Sequence, residues 1–431
     1  MKTKIKYGKE IPYYGKYDAI VLGGGPAGVC AAVTAAEFNK KVLLVETTGV
    51  LGGMATSGLV SPFMTCYDRD GDNPTVGGIF RRILDRLKEY SGVLMPEMIE
   101  SPSIHTSFIQ KYHRHVTPFD SFALQLVLDE MVTEAGVDVM LYTRFVDCIC
   151  EDGKIEYVVL SALEGLIGVS ADVYLDCTGN ADVAASAGVY TYKGEEESGI
   201  PQPGTLMFEV GNVVDEVYMT RNERPEYPVK AYRTPNKGRY SVNHYRVFDV
   251  DATNSKSMTK AHMEARKQVL DAYDVLRSKT EGFENAEITQ VASVLGVRES
   301  RHIEGKYKIL VEDIANGTKF DDRIATYGFG MDVHPRNSLE SGNFKIEVSE
   351  KYYIPYRSMI PIGCKNLIVA GKTISCESQA AGGLRCMPCA MAMGQAAGTA
   401  TAIAVENRCL PENVDIAVLQ NVLREKNAIL D

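Results

Sequence analysis

The segment Asp18–Glu46 constrains the fold more than any other part of the sequence. An uncharged run of strand length, residues 19–22, leads into three glycines at the spacing G-x-G-x-x-G, namely Gly23, Gly25 and Gly28. In such a turn the first glycine permits a sharp bend, and the second lets a diphosphate approach the backbone. The third glycine lets the following helix pack closely against the strand. The pattern predicts a phosphate-binding strand, turn and helix.

The residues that follow the turn support this interpretation. Pro26 and Ala27 open the helix, where a missing backbone N–H costs nothing, so free amides and the positive end of the helix dipole face the phosphates. A second strand, residues 42–45, ends at Glu46, whose carboxylate can accept hydrogen bonds from a ribose 2′-OH and 3′-OH. The segment therefore predicts a dinucleotide site, but by itself it leaves FAD and NAD open.

Composition sets the broad class of the protein. The chain has 431 residues, 45% of them hydrophobic and 24% charged, which is ordinary for a globular protein of two domains. Its formal charge of −10 argues against a nucleic-acid surface. The lysine-bearing N-terminus has no apolar core, so we expect no export signal, a cytoplasmic location and ten cysteines that remain thiols.

Two local patterns invite other interpretations. Residues 386–405 carry no charge over the length of a membrane span, but they consist largely of Ala, Gly, Thr and Met, which favours a close-packed buried helix. The candidate metal ligands lack partners at a zinc spacing, so no metal site is predicted. These candidates are the pairs Cys148 and Cys150, Cys386 and Cys389, and the histidines His105, His113 and His115.

The stretch after Glu46 suggests a family. Residues 51–57 read Leu-Gly-Gly-Met-Ala-Thr-Ser, and after the first motif and its acid this resembles the FAD-binding opening of flavoproteins with the glutathione-reductase type of dinucleotide fold, distantly similar to fumarate reductase flavoproteins. In that family the second glycine pair lies along the diphosphate and the flavin edge. The resemblance implies FAD as the cofactor, with contacts from Gly52, Gly53, Met54 and Thr56.

Later segments extend the resemblance to about residue 408. Thr178-Gly179 after a strand matches the family motif that passes the adenosine half of FAD, and the chain near Val146 corresponds to a backbone contact with adenine. Gly371 ends a strand near the C-terminus, although the family usually has Gly-Asp where this chain has Gly-Lys. In the family a helix beginning at the position of Pro388 aims its N-terminal amides at the flavin. The resemblance adds three contacts before or at this helix, from Arg385, Met387 and Pro388.

The predicted architecture is α/β. We expect a discontinuous Rossmann-like FAD-binding domain formed by residues 1–61, 117–190 and 351–431. Residues 62–116 are predicted to form an insertion over the flavin, and residues 191–350 an inserted α+β substrate domain. No second G-x-G-x-x-G lies between a strand and a helix, so a dedicated NAD(P)H domain is not expected.

The candidate catalytic residues follow from segments that resemble family segments near the flavin. Arg298, Arg301, His334 and Arg357 come from separate stretches of the chain. Arginine can meet a carboxylate with two parallel hydrogen bonds, and histidine can titrate near neutral pH. We therefore hypothesise that Arg301 and Arg357 hold an anionic substrate and that His334 acts as acid or base, the alternative being ion pairs at the surface.

These observations together predict an FAD-dependent oxidoreductase that transfers a hydride between a small organic substrate and flavin N5. Electrons would be exchanged with a separate acceptor or donor, which can be a redox partner protein. Two alternatives remain open at this point. The chain could be a flavin-dependent monooxygenase with a transient NAD(P)H site, or a non-catalytic flavoprotein subunit that passes electrons within a complex.

Overall fold

The structure is a computed structural model that describes residues 8–95, 115–214, 229, 231–337 and 344–431, without the side chains of 344–346. His105 and His113 lie outside the described residues. The described helices, numbered in chain order, are α1 (Pro26–Ala36), α2 (Gly78–Glu89), α3 (Ser121–Glu134), α4 (Asp182–Ser186), α5 (Ser255–Lys279), α6 (Val311–Asn316), α7 (Ala381–Leu384), α8 (Met387–Glu406) and α9 (Ile416–Glu425). Short 3₁₀ helices span Gly53–Ala55, Tyr356–Met359 and Pro411–Asn413.

The described strands are shorter and fall into five sheets. In chain order they are β1 (Tyr13–Leu22), β2 (Val42–Val45), β3 (Asp138–Met140), β4 (Arg144–Glu151), β5 (Lys154–Ala162), β6 (Gly165–Asp176), β7 (Thr191–Lys193), β8 (Phe208–Gly211), β9 (Ala231–Arg233), β10 (Tyr240–Val242), β11 (Glu287–Val291), β12 (Arg301–Ile303), β13 (Arg323–Tyr327), β14 (Met331–Val333), β15 (Phe344–Ile346), β16 (Tyr352–Pro355) and β17 (Leu367–Val369).

The largest sheet has seven strands in the order β3-β2-β1-β6-β5-β4, with β17 also paired to β6. The strands β3, β2, β1, β6 and β17 run parallel, whereas β5 and β4 form an antiparallel hairpin against the first half of β6. Strands far apart in sequence, such as β1, β6 and β17, are thus neighbours. This confirms the α/β fold with a Rossmann-like parallel sheet.

The carboxyl ends of the parallel strands meet at one edge of this sheet. Leu22, Val45 and Asp176 occupy equivalent positions at the ends of β1, β2 and β6, and Val369 pairs with Asp176 from β17. In open parallel sheets, ligands bind outside these carboxyl ends. The glycine turn, Glu46, Thr178 and Gly371 each follow one of these strands, so the topology brings four distant segments to one edge.

Helices α1 and α8 pack against each other on one face of the sheet. A Cβ atom on Gly394 would lie 2.2 Å from the carbonyl oxygen of Ala27, and one on Gly398 would lie 2.4 Å from that of Ala31. Such distances are far below van der Waals contact, so glycine is required at both positions. This explains the uncharged composition of α8, which begins at Met387 with Pro388 in its first turn as predicted.

A second layer is built from the middle of the chain. Strands β11-β8-β10-β9 form an antiparallel sheet of four strands, and helix α5 packs on it through Ala261, Ala265 and Val269 among other buried residues. Small two-stranded sheets, β12 with β7, β13 with β16 and β14 with β15, lie elsewhere in the described part of the chain. Within this layer Thr205 and Gly296 form a bridge, and the N–H of Ser293 donates to the carbonyl oxygen of Ser57 at 3.0 Å, which joins the layer to the segment after the second glycine pair.

No helix among the described residues combines the length and the apolar character that crossing a membrane requires.

Candidate active site

The glycine turn after β1 has the geometry that close approach to a ligand requires. Gly23 has a φ of +105°, and a Cβ on it would lie 2.4 Å from the carbonyl oxygen of Cys177. A Cβ on Gly28 would lie 1.8 Å from the carbonyl oxygen of Gly23, so these two glycines are needed by the fold itself. A Cβ on Gly25 would meet no atom within 4 Å. The backbone at Gly25, just before α1, therefore opens to space that a ligand can enter.

The second glycine pair lies against this turn. The N–H of Gly52 donates to the carbonyl oxygen of Gly24 at 2.8 Å, and a Cβ on Gly53 would lie 3.0 Å from Cα of Gly25. Gly52 and Gly53 have φ values of +98° and +51°, a region that favours glycine. Met54 follows in the short helix Gly53–Ala55, and Thr56 Oγ1 donates to the carbonyl oxygen of Leu51 at 2.6 Å.

Glu46 lies at the end of β2 and is 9% exposed. Its Oε2 accepts from the N–H of Gly24 at 2.8 Å, and its Oε1 accepts from the N–H and the hydroxyl of Thr48 at 2.7 and 2.9 Å. These bonds fix the carboxylate beside the glycine turn. A ribose whose hydroxyls donate to this carboxylate would lie next to a diphosphate at Gly25, as the G-x-G-x-x-G pattern requires.

The segments after β6 and β17 complete the edge. The buried Asp176 carboxylate accepts from the N–H and hydroxyl of Thr178, which fixes the turn at Gly179, where φ is +73°. Gly371, with φ of +98°, lies beside Ala27 of α1. Lys372 passes Gly179, its Cε lying 3.7 Å from the position of a Cβ on that glycine. The free backbone N–H groups at the start of α1, the accessible backbone at Gly25 and the Glu46 carboxylate thus fit a dinucleotide bound along this edge.

The structure gives less direct support for a contact between Val146 and the cofactor. Its side chain is 50% exposed on β4, the strand at the far end of the large sheet. The chain just before it does pass the site, because the N–H of Thr143 donates to the carbonyl oxygen of Glu46 at 3.0 Å. The backbone contact of Val146 with adenine stays a prediction.

A cavity of about 540 Å³ lies between this edge and the four-stranded sheet. Three of the predicted flavin neighbours line it, namely Met54, Arg385 and Met387. The middle of the chain supplies Arg298 and His334. The cavity therefore joins the predicted cofactor segments to residues of the predicted substrate domain.

Positively charged side chains outnumber negatively charged ones in the cavity wall. The described residues that line it include four cationic side chains, Arg246, Arg298, Lys372 and Arg385, and a single carboxylate, that of Asp332. Burial would raise the pKa of Asp332, but His334, Arg385 and Arg298 hold it well below its usual range. Burial and Arg385 lower the pKa of Arg298 to about 9, which leaves the guanidinium charged at neutral pH. Excess positive charge in a partly buried site favours an anionic ligand.

His334 is held by Asp332. Its Nε2 lies 2.9 Å from Asp332 Oδ2, and its backbone N–H donates to Gln202 at 3.2 Å. Burial and the nearby Arg298 lower the pKa of His334 to about 3. The expectation that this histidine titrates near neutral pH is therefore wrong for the protein without a substrate. Its imidazole is neutral there, a state in which it can accept a proton.

The structure separates the other two predicted catalytic arginines from the cavity. Arg301 Nη1 donates to Asp182 at 2.8 Å and to the carbonyl oxygen of Asn180 at 3.1 Å. Arg357 lies over the ring of Tyr307, with its guanidinium carbon 4.8 Å from the ring centroid, and neither arginine lines the cavity. Resemblance of a segment to a family segment does not determine the direction in which a side chain points. We therefore take Arg298 and His334, and neither Arg301 nor Arg357, into the proposed site.

Sequence reasoning missed three charged groups of the site. Arg246 comes from a stretch that alternates like a strand and carries no recognisable motif. Asp332 lies two residues before His334 and belongs to no recognisable motif. Lys372 stands where the family usually has Asp, and its Nζ lies in the wall, where it donates to the carbonyl oxygen of Val297 at 2.5 Å. Burial and Arg385 lower the pKa of Lys372 to about 8.

A buried polar network supports the cavity wall behind Arg298. Glu299 is 1% exposed, and its Oε2 accepts from the backbone N–H of Gln202 at 2.9 Å and lies 3.1 Å from Arg336 Nη1. Ser378 donates to the other carboxylate oxygen, and His302 Nε2 lies 3.7 Å from it. Burial alone would raise the pKa of Glu299, but His302, Ser378 and Arg336 lower it. The network connects residues of the middle segment with the C-terminal segment.

We expect Glu299→Gln to lower the free energy of unfolding by about 3 kcal/mol, because the change removes the carboxylate 3.1 Å from the buried Arg336 and leaves only the longer ion pair with Glu195, at 3.9 Å, among those described. Equilibrium urea denaturation, with FAD bound in every sample, measures this difference. Asp85→Asn is the matched control, because Asp85 pairs with Lys88 on the surface and its side chain is 53% exposed. An unchanged midpoint in Glu299→Gln would contradict a structural role for the network.

The described residues contain no group of three or more His, Cys, Asp or Glu side chains placed to hold a metal ion. All ten cysteines have free thiols, and Cys389, the second of the pair in α8, is buried.

Comparison with known proteins agrees with the glycine-lined edge. A family model described as FAD dependent oxidoreductase matches residues 18–423. The thiamine thiazole synthase of Aeropyrum pernix is 31% identical over 175 residues, which are 38% of this chain and 54% of that protein. The digeranylgeranylglycerophospholipid reductase of Methanospirillum hungatei is 28% identical over 148 residues, 34% of each chain. The chain thus matches about half the length of the first relative and a third of the second.

Solved structures show the same fold at low identity. A triple mutant of the flavin-dependent brominase Bmp2 aligns with a TM-score of 0.50 and 14% identity, over 95% of this chain and 85% of that one. BexE aligns with a TM-score of 0.50 and 12% identity, over 95% of this chain and 66% of that one. At these identities the likeness concerns the fold alone. The match over residues 18–423 and the open glycine edge lead to one conclusion: the chain belongs to the FAD dependent oxidoreductase family, and FAD is its cofactor.

Proposed function

We propose that the cavity binds a small organic anion and that the protein oxidises or reduces it by hydride transfer, exchanging electrons with a separate acceptor or donor. The observation that supports this most strongly is the composition of the wall, where four cationic side chains and one carboxylate meet three predicted flavin neighbours. FAD, when bound, supplies flavin N5 as the hydride acceptor or donor. The groups that would hold FAD are the glycine turn, Glu46, Gly52-Gly53, Thr178-Gly179 and the segment around Gly371.

The arginines bind and orient the substrate in this proposal. Nη2 of Arg385 donates to the backbone oxygen of Asp332 at 2.7 Å and to its Oδ2 at 3.3 Å, so its position is fixed. Nη1 of Arg298 is fixed by the carbonyl oxygen of Pro203 and by Thr205 Oγ1, both at 2.8 Å. Cations held in place before binding attract an anion without a further ordering cost.

His334 moves the proton in this proposal. Oxidising a C–H bond next to a hydroxyl or amine requires a base for the accompanying proton, and reduction requires an acid. Burial, and after it the positive charge of Arg298, keeps His334 neutral in the free protein. A bound anion offsets the part of the pKa shift that Arg298 causes, while the part caused by burial remains. The histidine thus becomes a better proton acceptor when the substrate is present.

An anaerobic screen tests this function. Purified protein with bound FAD is mixed with organic acids, and loss of the visible flavin band measures reduction of the flavin. The same acids are then added to protein whose flavin has been reduced beforehand, and return of the band measures reoxidation. We expect at least one organic acid to change the flavin band in one direction. A band that no acid changes in either direction would contradict the proposal and favour a non-catalytic flavoprotein. Reduction only by NAD(P)H, followed by oxygen uptake that requires an organic compound, would favour a monooxygenase.

A further inference from the structure

One edge of the Arg298 guanidinium makes hydrogen bonds within the protein, and the other edge is open, meaning that its N–H groups have no acceptor among the described residues. Nη1 donates both of its hydrogens, one to the carbonyl oxygen of Pro203 and one to Thr205 Oγ1, each over 2.8 Å. Among the described residues no carboxylate lies within ion-pair distance of Arg298, and Nε and Nη2 have no hydrogen-bond partner. These two groups form the side of the fork on which parallel N–H bonds meet the two oxygens of a carboxylate.

Arg298 differs in this respect from Arg385 and Lys372, two other cations of the cavity. Arg385 is joined to Asp332 through an ion pair of 3.3 Å. Lys372 carries a point charge and donates to the carbonyl oxygen of Val297. A point charge does not select a planar anion, whereas the open edge of a fixed guanidinium does. Arg298 is therefore a group in the wall whose shape can specify the charged end of a ligand.

The middle of the chain also contributes apolar surface to the wall, next to its charged groups and the polar Thr205, Asn243 and His244. Met207, Tyr232, Tyr245, Phe248 and Val297 line the cavity beside Arg298, and Met64 lines it from the segment after β2. Met207 and Tyr232 are 2% and 4% exposed, so their side chains form part of the packed wall. Binding of a ligand gains free energy from this apolar surface only if apolar atoms of the ligand cover it.

We propose that the substrate is a monocarboxylate with an apolar body, whose carboxylate binds side-on to Arg298 and whose body lies against this apolar wall. The proposal rests on the proposed function of the cavity and names the chemical class of its substrate. A compact dicarboxylate gains less, because Arg385 is already paired with Asp332 and the side chains beside Arg298 include methionine and aromatic residues, against which a second charge costs free energy. A neutral molecule of the same shape would leave the open edge of Arg298 without an acceptor.

Binding of simple acids to the FAD-loaded protein tests the proposal without turnover. The probes are acetate, butyrate, hexanoate, benzoate, succinate, benzamide and phenyl phosphate, and the readout is the shift of the visible flavin spectrum. We expect the dissociation constant to fall about fourfold for each methylene added from acetate to hexanoate, as for burial of methylene groups. Benzoate is expected to bind at least about tenfold more tightly than benzamide, which lacks the charge.

Variants then test the role assigned to Arg298. Arg298→Lys keeps the charge but loses the second parallel hydrogen bond, so we expect benzoate to bind about tenfold more weakly. Arg357→Lys is the matched control, because Arg357 lies outside the cavity, and its affinity for benzoate is expected to equal that of the wild type. If Arg298→Lys fails to retain FAD, the comparison of benzoate with benzamide and succinate in the wild-type protein decides the question.

The possible results separate the two claims. Tighter binding of succinate or phenyl phosphate than of benzoate and hexanoate would overturn the monocarboxylate class while leaving an anionic substrate in place. Equal binding of benzoate and benzamide, or equal affinity in Arg298→Lys and the wild type, would overturn the role of Arg298. Acids that bind in the expected order, as seen by the spectral shift, but neither bleach the oxidised flavin nor restore the band of the reduced flavin in the screen would contradict the proposed function instead.

Discussion

Gly25→Val is expected to yield a folded protein that is purified without its yellow cofactor. A Cβ on Gly25 meets no atom within 4 Å, and the residue has a φ of −74°, so a side chain fits the protein itself without strain. The valine side chain would project into the space through which a diphosphate approaches the start of α1. We expect FAD occupancy, measured by absorbance after purification, to fall below about a tenth of the wild-type value.

Gly28→Ala provides the contrast. Its Cβ would lie 1.8 Å from the carbonyl oxygen of Gly23, so the turn and α1 must move apart, at a cost of about 1–3 kcal/mol or more. Thermal unfolding followed by circular dichroism should show a lowered midpoint for Gly28→Ala, while Gly25→Val should match wild-type protein that has been stripped of FAD. A Gly25→Val protein with full FAD occupancy would show that this turn does not hold the diphosphate.

His334→Ala is expected to retain FAD and to slow flavin reduction or reoxidation by the substrate about 10²–10⁴-fold. The imidazole lies in the cavity wall, fixed at 2.9 Å from Asp332, and it supplies the proton-transfer group of the proposed reaction. Anaerobic stopped-flow measurement with an acid identified by the screen gives the rate. His262→Ala is the matched control, since His262 lies on α5 and does not line the cavity. Equal rates in His334→Ala and wild type would remove His334 from the reaction.

The pKa of His334 also predicts how the second-order rate constant depends on pH. Burial and Arg298 lower the pKa of His334 to about 3, so in the free protein it is neutral throughout roughly pH 5–8. The second-order rate constant reports groups of the free protein and free substrate. For oxidation of the substrate, we therefore expect no decrease attributable to His334 as pH falls through 6.5. A decrease centred near 6.5 that is absent in His334→Ala would show that the histidine titrates normally.

The cofactor edge could be predicted from the sequence because its residues are required by the backbone. Gly23, Gly28 and Gly52 stand where a side chain would collide or where φ is positive, and such positions leave a readable pattern of spacing. Thr178 and Gly371 follow the ends of β6 and β17 in the same fold. The glycines that meet such requirements lie within a few residues of each other along the chain, so their spacing can be recognised in a single sequence.

The substrate side could be predicted only in part, because it depends on where side chains point after distant segments meet. Arg298 and Arg301 are three residues apart, yet one lines the cavity and the other pairs with Asp182 near the Thr178 turn. The intervening Glu299 points into the network with Arg336, and this arrangement separates the two arginines. Neither spacing nor composition distinguishes such neighbours. The lowered pKa of His334 likewise arises from burial and from Arg298, which is close in space but distant in sequence.

The measurement that tests the central claim most directly is the second-order rate constant for anaerobic flavin reduction, or reoxidation, by an acid from the screen. It is compared among wild type, Arg298→Lys and Arg357→Lys, each carrying a full complement of FAD. We predict that Arg298→Lys lowers this constant at least about tenfold, as expected for the loss of a charge-assisted hydrogen bond, and that Arg357→Lys leaves it unchanged. A constant that falls in Arg357→Lys and stays at the wild-type value in Arg298→Lys would show that the substrate meets FAD outside this cavity.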